Sequence, residues 1–397
     1  MWHGSPLNQF QALIIDTTRA ISGQTTTVGQ TNPGSGTLVF GLLLAGLTFL
    51  ITWAIGGPLV AWLRYKKIGK QIRDEGPETH LKKTGTPTMG GLMMSVSILF
   101  VTIAFILIPL VVTTGKGLAV LLPIGIVLAC GTLGAFDDLL TLVGKRMPPV
   151  ETPVAPPVGE TRQERRKRKK LNAYGLAGRF KMAWLLGISA VAALILYFPL
   201  DLRKVYVPFI REPVVLESWI YIPLAILFIC GMSNAVNLTD GLDTLAASTA
   251  AIAFGAYGII GFIQLQPQVV LLAFTAAGAC FGFLWYNAFP AQVFMGDTGS
   301  LTLGALLAVL AFQTNQWLLL PLIGGVFVAE AVSVMLQVSW FKYTRRKYGE
   351  GRRFFKMSPL HNHFELSGWS ETQTSMRFWL FSMVLALVGV ALALIGQ

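Results

Sequence analysis

The chain has 397 residues, of which 53% are hydrophobic and only 13% charged, roughly half the charged share of a soluble domain. That balance excludes a soluble globular protein and predicts an all-α polytopic membrane protein without soluble domains. The net charge of +12 would raise nucleic acid as a partner for a soluble chain. In a membrane chain the placement of that charge is what informs, and no nucleic acid is expected.

Residues 1–37 form a polar lead-in ending in the flexible stretch "QTTTVGQTNPGSG" (24–36), without the order of a cleaved signal peptide. From 38 to 397 a single transmembrane unit is expected, with ten spans near 38–63, 90–112, 118–137, 182–198, 217–233, 245–263, 268–286, 299–313, 317–340 and 376–395. Cys130, Cys230 and Cys280 fall in or beside apolar spans and suggest neither a disulfide framework nor a CxxC metal site. The segments 64–83, 142–181 and 341–356 hold 25 of the 31 basic residues. All three lie on one side of a ten-span chain, and the positive-inside rule makes that side cytoplasmic, with both termini on the outer, periplasmic side. Within 146–172 a Pro-rich stretch precedes "TRQERRKRKK" (161–170), a solvated linker or a patch drawn to anionic lipid headgroups.

The unusual polar motifs fall in or at the inner loops: "KKTGTPTMGG" (82–91), "FDDLL" (136–140), "SNAVNLTDGLDTL" (233–245), "WYNAFPAQVFMGDTGS" (285–300) and "MSPLHNHFEL" (357–366). One inner-face site built from five segments accounts for this better than five unrelated loops. Asp137, Asp138, Asp240, Asp243 and Asp297 belong to these motifs. That much negative charge near a low-dielectric boundary calls for basic groups and a hard divalent cation, Mg²⁺ or Mn²⁺. Mg²⁺ shares itself between carboxylates and phosphates, which implies a phosphorylated substrate. The glycines after "TPTM" and around Asp297 either admit phosphate to backbone amides or pack helices. Lys82 and Lys83 either bind diphosphate or set topology.

Asp240 and Asp243, three residues apart, share a helix face or cap its start. Asn234 and Asn237 beside them suit a nucleobase or sugar, and Phe289 and Phe294 either stack on a base or sit as interface aromatics. His361 and His363 suit phosphate better than zinc, lacking a third neutral ligand. Glu330, inside the ninth span, requires a partner. A transporter with inverted repeats is the reading from another class, and the chain shows no half-to-half repeat.

Taken together and in this order, the motifs resemble those of the phospho-N-acetylmuramoyl-pentapeptide transferases (translocase I), within the polyprenyl-phosphate N-acetylhexosamine-1-phosphate transferase superfamily. The "SPLHNHFE" loop resembles that branch more than its relatives acting on UDP-N-acetylglucosamine. The resemblance implies transfer of phospho-muramoyl-pentapeptide from UDP-N-acetylmuramoyl-pentapeptide to undecaprenyl phosphate, giving lipid I and UMP with Mg²⁺, at the bacterial inner membrane; it also admits a homodimer. It implies that Asp297 ligates magnesium with Asp137 and Asp138 beside the metal, and that Lys83, Thr88 and His361 are site residues. Asn237, Asp240, Asp243, Asn287 and Phe294 match positions lining the uridine and sugar-phosphate pocket, with Phe294 on uracil, and His363 closes the histidine loop on the substrate. The chain departs from the family pattern at Asn362, where a middle histidine is usual, at Thr244, where glycine is common, and in the longer 146–172 segment.

Overall fold

The computed structural model describes residues 33–66, 85–114, 117–145, 178–210 and 212–395. Almost all of this is helix, as the bilayer demands: without water, every backbone polar group must be satisfied within its own segment. The elements in order are α1 (Pro33–Tyr65), α2 (Gly91–Thr102), continued by a π-helical turn (Ile103–Leu107) and Ile108–Thr114, α3 (Leu118–Lys145), α4 (Gly178–Tyr197), α5 (Ser218–Thr239), α6 (Leu245–Ile263) and α7 (Pro267–Asn287). Then come α8 (Gly296–Gln313), α9 (Gly325–Tyr348), the short α10 (Leu360–Glu365) and α11 (Glu371–Ile395). A two-residue antiparallel ribbon, Lys204–Val205 with Val214–Val215, links α4 to α5 and was not anticipated from the sequence.

Among the described residues nine helices are long and apolar enough to cross a membrane. The tenth expected span is α8, whose polar opening, Asp297, Thr298 and Ser300, dilutes its apolar character. Several boundaries differ from the sequence reading, and α3 and α9 each run eight residues further, to Lys145 and Tyr348. Helix α1 starts at Pro33, inside the expected lead-in, and α5 runs on to Thr239. The ninth span is interrupted: a 3₁₀ turn (Trp317–Leu319) and a one-turn helix (Leu320–Ile323) stop at Gly324 before α9 begins.

Helix α8 is the axis of the bundle, packed most broadly against α3 and α5 and also against α2, α6 and α7. All its residues are buried except Asp297. Burial on every side needs close neighbours, and glycines supply them. A Cβ on Gly91 would strike the backbone of Gly299, one on Gly134 the backbone of Asp297, and one on Gly304 that of Met232. These glycines are therefore packing residues, which decides one of the two readings open in the sequence.

Candidate active site

The start of α8 is held from three directions. Backbone pairing joins the "TPTMGG" loop (86–91) to the segment ahead of α8: Phe294 donates to the Pro87 carbonyl at 2.8 Å, while Gly90 and Gly91 donate to the Phe294 and Met295 carbonyls, each at 2.8 Å. Asn287, buried at the end of α7, accepts from the Thr244 amide at 2.8 Å and donates to the Val293 carbonyl at 3.0 Å. Asp243 accepts from the Ala291 amide at 2.9 Å, and its own amide donates to Glu371 of α11 at 2.9 Å. Asn287 and Asp243 thus tie four segments into one rigid floor. Both side chains are buried.

The amides that open α8 are themselves occupied. Gly296 donates to Asp240 Oδ2 at 3.1 Å. Asp297 and Thr298 donate through their amides to Asp138, at 3.4 and 3.2 Å, and the Thr298 hydroxyl adds a bond to Asp138 Oδ2 at 2.8 Å. Asp138 and Asp240 therefore cap α8 at its positive end. Of the two readings of the glycines around Asp297, packing is the one this arrangement favours, because neighbouring carboxylates take the amides. Gly296 has φ +73°, and a Cβ there would press on Asp138 and on the Thr88 hydroxyl. That left-handed turn is what aims the first amides at their acceptors.

With its amide held, Asp297 projects its carboxylate into the most polar point of the bundle. Its Oδ1 accepts from Asn237 Nδ2 at 2.7 Å, and Asn237 is steadied by the Ser300 hydroxyl at 2.8 Å. Its Oδ2 is paired with the ammonium of Lys181, from the first turn of α4. The same ammonium lies 3.7 Å from Asp137 Oδ2. Two carboxylates from different helices thus converge on one cationic point. Asp137 and Asp138 are adjacent in sequence but about 100° apart around a helix, so one faces this point and the other caps α8.

The last motif reaches the site from α10. His361 is buried, its amide donates to Glu330 Oε1 at 3.1 Å, and its Nδ1 sits 3.3 Å from the same oxygen, off the line of a hydrogen bond. Glu330, fully buried in α9, thereby has the partner that the sequence required but did not name. The other edge of the His361 ring lies against Gly241, where a Cβ would collide with Nε2. His363 behaves differently: its Nδ1 accepts from the Lys356 amide at 3.1 Å and its ring packs between Phe355 and Phe364, so it organises the loop. Asn362 is buried within the same short helix.

Residues 119–315 match the model of glycosyl transferase family 4. The Phospho-N-acetylmuramoyl-pentapeptide-transferase of Chloroflexus aurantiacus is 47% identical over 361 residues, covering 89% of each chain. That of Bacillus mycoides is 40% identical over 353 residues, 88% of this chain and 96% of the relative. The chain belongs to the phospho-N-acetylmuramoyl-pentapeptide-transferase family. The family's glycosyl-transferase model covers the three carboxylates, Lys181 and all of α8, so the segment that matches is the segment that builds the ionic point.

Among the described residues no three His, Cys, Asp or Glu side chains close into a metal cage. Two convergent carboxylates already gathered round a cation suit Mg²⁺, which takes one or two protein carboxylates and completes its shell with water and phosphate oxygens. Asp297 and Asp137 are the two that fit; Asp138, with its oxygens turned to the amides and hydroxyl that open α8, does not. Lys83 and the 146–172 segment lie outside the described residues. Lys181 is the cation of this ionic point that the sequence reading did not single out. It was counted among the basic residues of a loop, although it is a cation one turn inside an apolar helix.

Proposed function

We propose that the chain transfers phospho-N-acetylmuramoyl-pentapeptide from its UDP carrier to undecaprenyl phosphate, releasing UMP and forming lipid I, with Mg²⁺ held by Asp297 and Asp137. The observation that carries this reading is the convergence of Asp137, Asp297 and Lys181 at the start of a buried helix, in a member of a family named for that transfer. A bound Mg²⁺ would offset the charge that develops on the diphosphate. Asn237 fixes the Asp297 carboxylate, and Asp138 and Asp240 fix the backbone beneath it. Lys181 supplies a second positive charge at the reacting phosphates. The acceptor, a phosphate monoester with its second pKa near 6, is largely ionised at neutral pH and needs no strong base. Direct attack on the UDP-linked phosphorus follows, with Asp137 orienting the acceptor. The basic residues Arg345, Arg346 and Lys347 end α9, ten or so residues before the histidine loop, which supports a cytoplasmic site in the inner membrane.

The test is UMP release by the purified protein supplied with UDP-N-acetylmuramoyl-pentapeptide, undecaprenyl phosphate and Mg²⁺. Release requiring all three supports the reading. Equal release from UDP-N-acetylglucosamine, or release without the lipid at a catalytic rate, would overturn it.

A further inference from the structure

Glu330 of α9 and His361 of α10 meet away from the ionic point, with 0% and 3% of their surfaces exposed. Polar atoms at that depth cost free energy unless they are paired. Glu330 Oε1 accepts from the His361 amide at 3.1 Å. Among the described residues, neither Glu330 Oε2 nor His361 Nδ1 has a hydrogen-bond partner. The two unpaired atoms belong to facing groups, since Nδ1 stands 3.3 Å from Oε1. A modest turn of the imidazole or of the carboxyl group lines Nδ1 up with an oxygen, and contacts of this kind tighten when a substrate fills the site.

The contact also fixes where the ring holds its proton. Oε1 is an acceptor towards the amide, so a lone pair on Nδ1 would oppose it and a proton on Nδ1 is drawn to it. A neutral ring then carries its lone pair on Nε2. Nε2 is the atom that faces Gly241, where any Cβ would strike it. Gly241 is exposed, and as a glycine it keeps a side chain from covering this edge of the ring. The turn it belongs to holds the start of α8 and the loop ahead of it, through Asp240 to the Gly296 amide and Asp243 to the Ala291 amide.

We propose that Glu330 is the positioning residue of His361: it keeps a proton on Nδ1 and so turns Nε2 to the UDP substrate at the Gly241 turn. The proposal rests on the transferase reading above and adds to it the group that orients the histidine.

The test uses the full-length protein carrying ¹⁵N-labelled histidine, at a pH where free histidine is neutral. The chain has four histidines, and His361→Asn identifies the His361 signals by their loss. In the wild type Nδ1 should give a pyrrole-type ¹⁵N signal, and in Glu330→Leu a pyridine-type signal as the proton moves to Nε2. Glu330→Gln keeps an acceptor oxygen and should keep the wild-type pattern. A pyridine-type Nδ1 in the wild type would overturn the proposal, whether or not Glu330→Leu folds. Kinetics give the second readout. Glu330→Leu should lower kcat for UMP release about 10–100-fold, the loss typical when the outer partner of a functional histidine is removed, with KM for undecaprenyl phosphate unchanged and Glu330→Gln close to wild type. In a His361→Asn background the same substitution should lower kcat no further. An equal fall there would make Glu330 a packing residue only and would also overturn the proposal. The spectra need no turnover. Wild-type protein that shows the Nδ1 proton yet releases no UMP would therefore count against the transferase reading and not against the placement of the proton.

Discussion

Asp137 and Asp138 are chemically identical neighbours, and the structure gives them different work that substitution can separate. Asp138→Ala removes the acceptor for the Thr298 hydroxyl at 2.8 Å and for the amides of Asp297 and Thr298 at 3.4 and 3.2 Å. Loss of a helix cap costs about 1–2 kcal/mol, and a buried hydroxyl left without a partner costs about 1–3 kcal/mol, so about 2–5 kcal/mol is expected together. Asp138→Asn keeps an acceptor oxygen but forfeits the negative charge at the helix start, about 1–2 kcal/mol. Asp137→Asn weakens a pair with Lys181 at 3.7 Å and leaves that ammonium its partner Asp297, about 0–1 kcal/mol. Apparent melting temperature in detergent should therefore fall in the order wild type, Asp137→Asn, Asp138→Asn, Asp138→Ala. UMP release should drop strongly in all three variants, because Asp137 faces the reacting point and Asp138 positions Asp297. An Asp138→Ala protein that melts with the wild type, or an Asp137→Asn protein as destabilised as Asp138→Ala, would refute this division.

Three further outcomes are expected. Asp297→Ala should abolish UMP release at every Mg²⁺ concentration while the protein stays folded in size-exclusion chromatography, since Lys181 and Asn237 then lose their shared acceptor; turnover near the wild-type rate would remove Asp297 from the centre. Thr244→Gly should stabilise the protein by on the order of 1 kcal/mol and so raise its melting temperature, because Thr244 holds φ +68° and its bonds to Asn287 and Ser248 use only its backbone; a lower melting temperature would contradict that account. Phe294→Ala should weaken binding of the UDP substrate by about 1–3 kcal/mol if the ring stacks on uracil, with the loop preserved by its backbone bonds to Pro87 and Gly90; unchanged affinity in calorimetry would leave the ring a packing role.

The spans and the five polar segments were legible because they rest on one-dimensional signals, apolar length and the cost of charge at bilayer depth. What escaped the sequence depends on angle and distance. Nothing in "FDD" says which acid points at Lys181 and which at α8, since that turns on the phase of α3. The Glu330–His361 contact joins residues 31 apart, across the end of α9 and the loop after it. Asn287 and Asp243 match a family pocket, yet their side chains also bond the loop backbone at Thr244, Val293 and Ala291. The break at Gly324 was hidden because hydropathy continues smoothly through it. Thr244 shows the reverse case. Its departure from a family glycine was readable, and the left-handed backbone supplies the reason that glycine is favoured there.

The geometry also explains why so polar a helix start can sit inside an apolar bundle. Burying the opening of α8 strands amide donors that no helix satisfies for itself, and a buried donor costs free energy unless another group accepts it. Asp138 from α3 and Asp240 from the end of α5 accept those donors, and each carboxylate is in turn favoured by the positive end of the helix it caps. This arrangement leaves Asp297 as the single residue of α8 that is not fully buried, with its carboxylate fixed by Asn237 and Lys181. A change that shifts α8 along its axis would therefore move the Asp297 carboxylate away from Asp137 and Lys181 together. Packing glycines such as Gly91 and Gly134, which touch no substrate in this reading, become determinants of the distance between the two reactive acids.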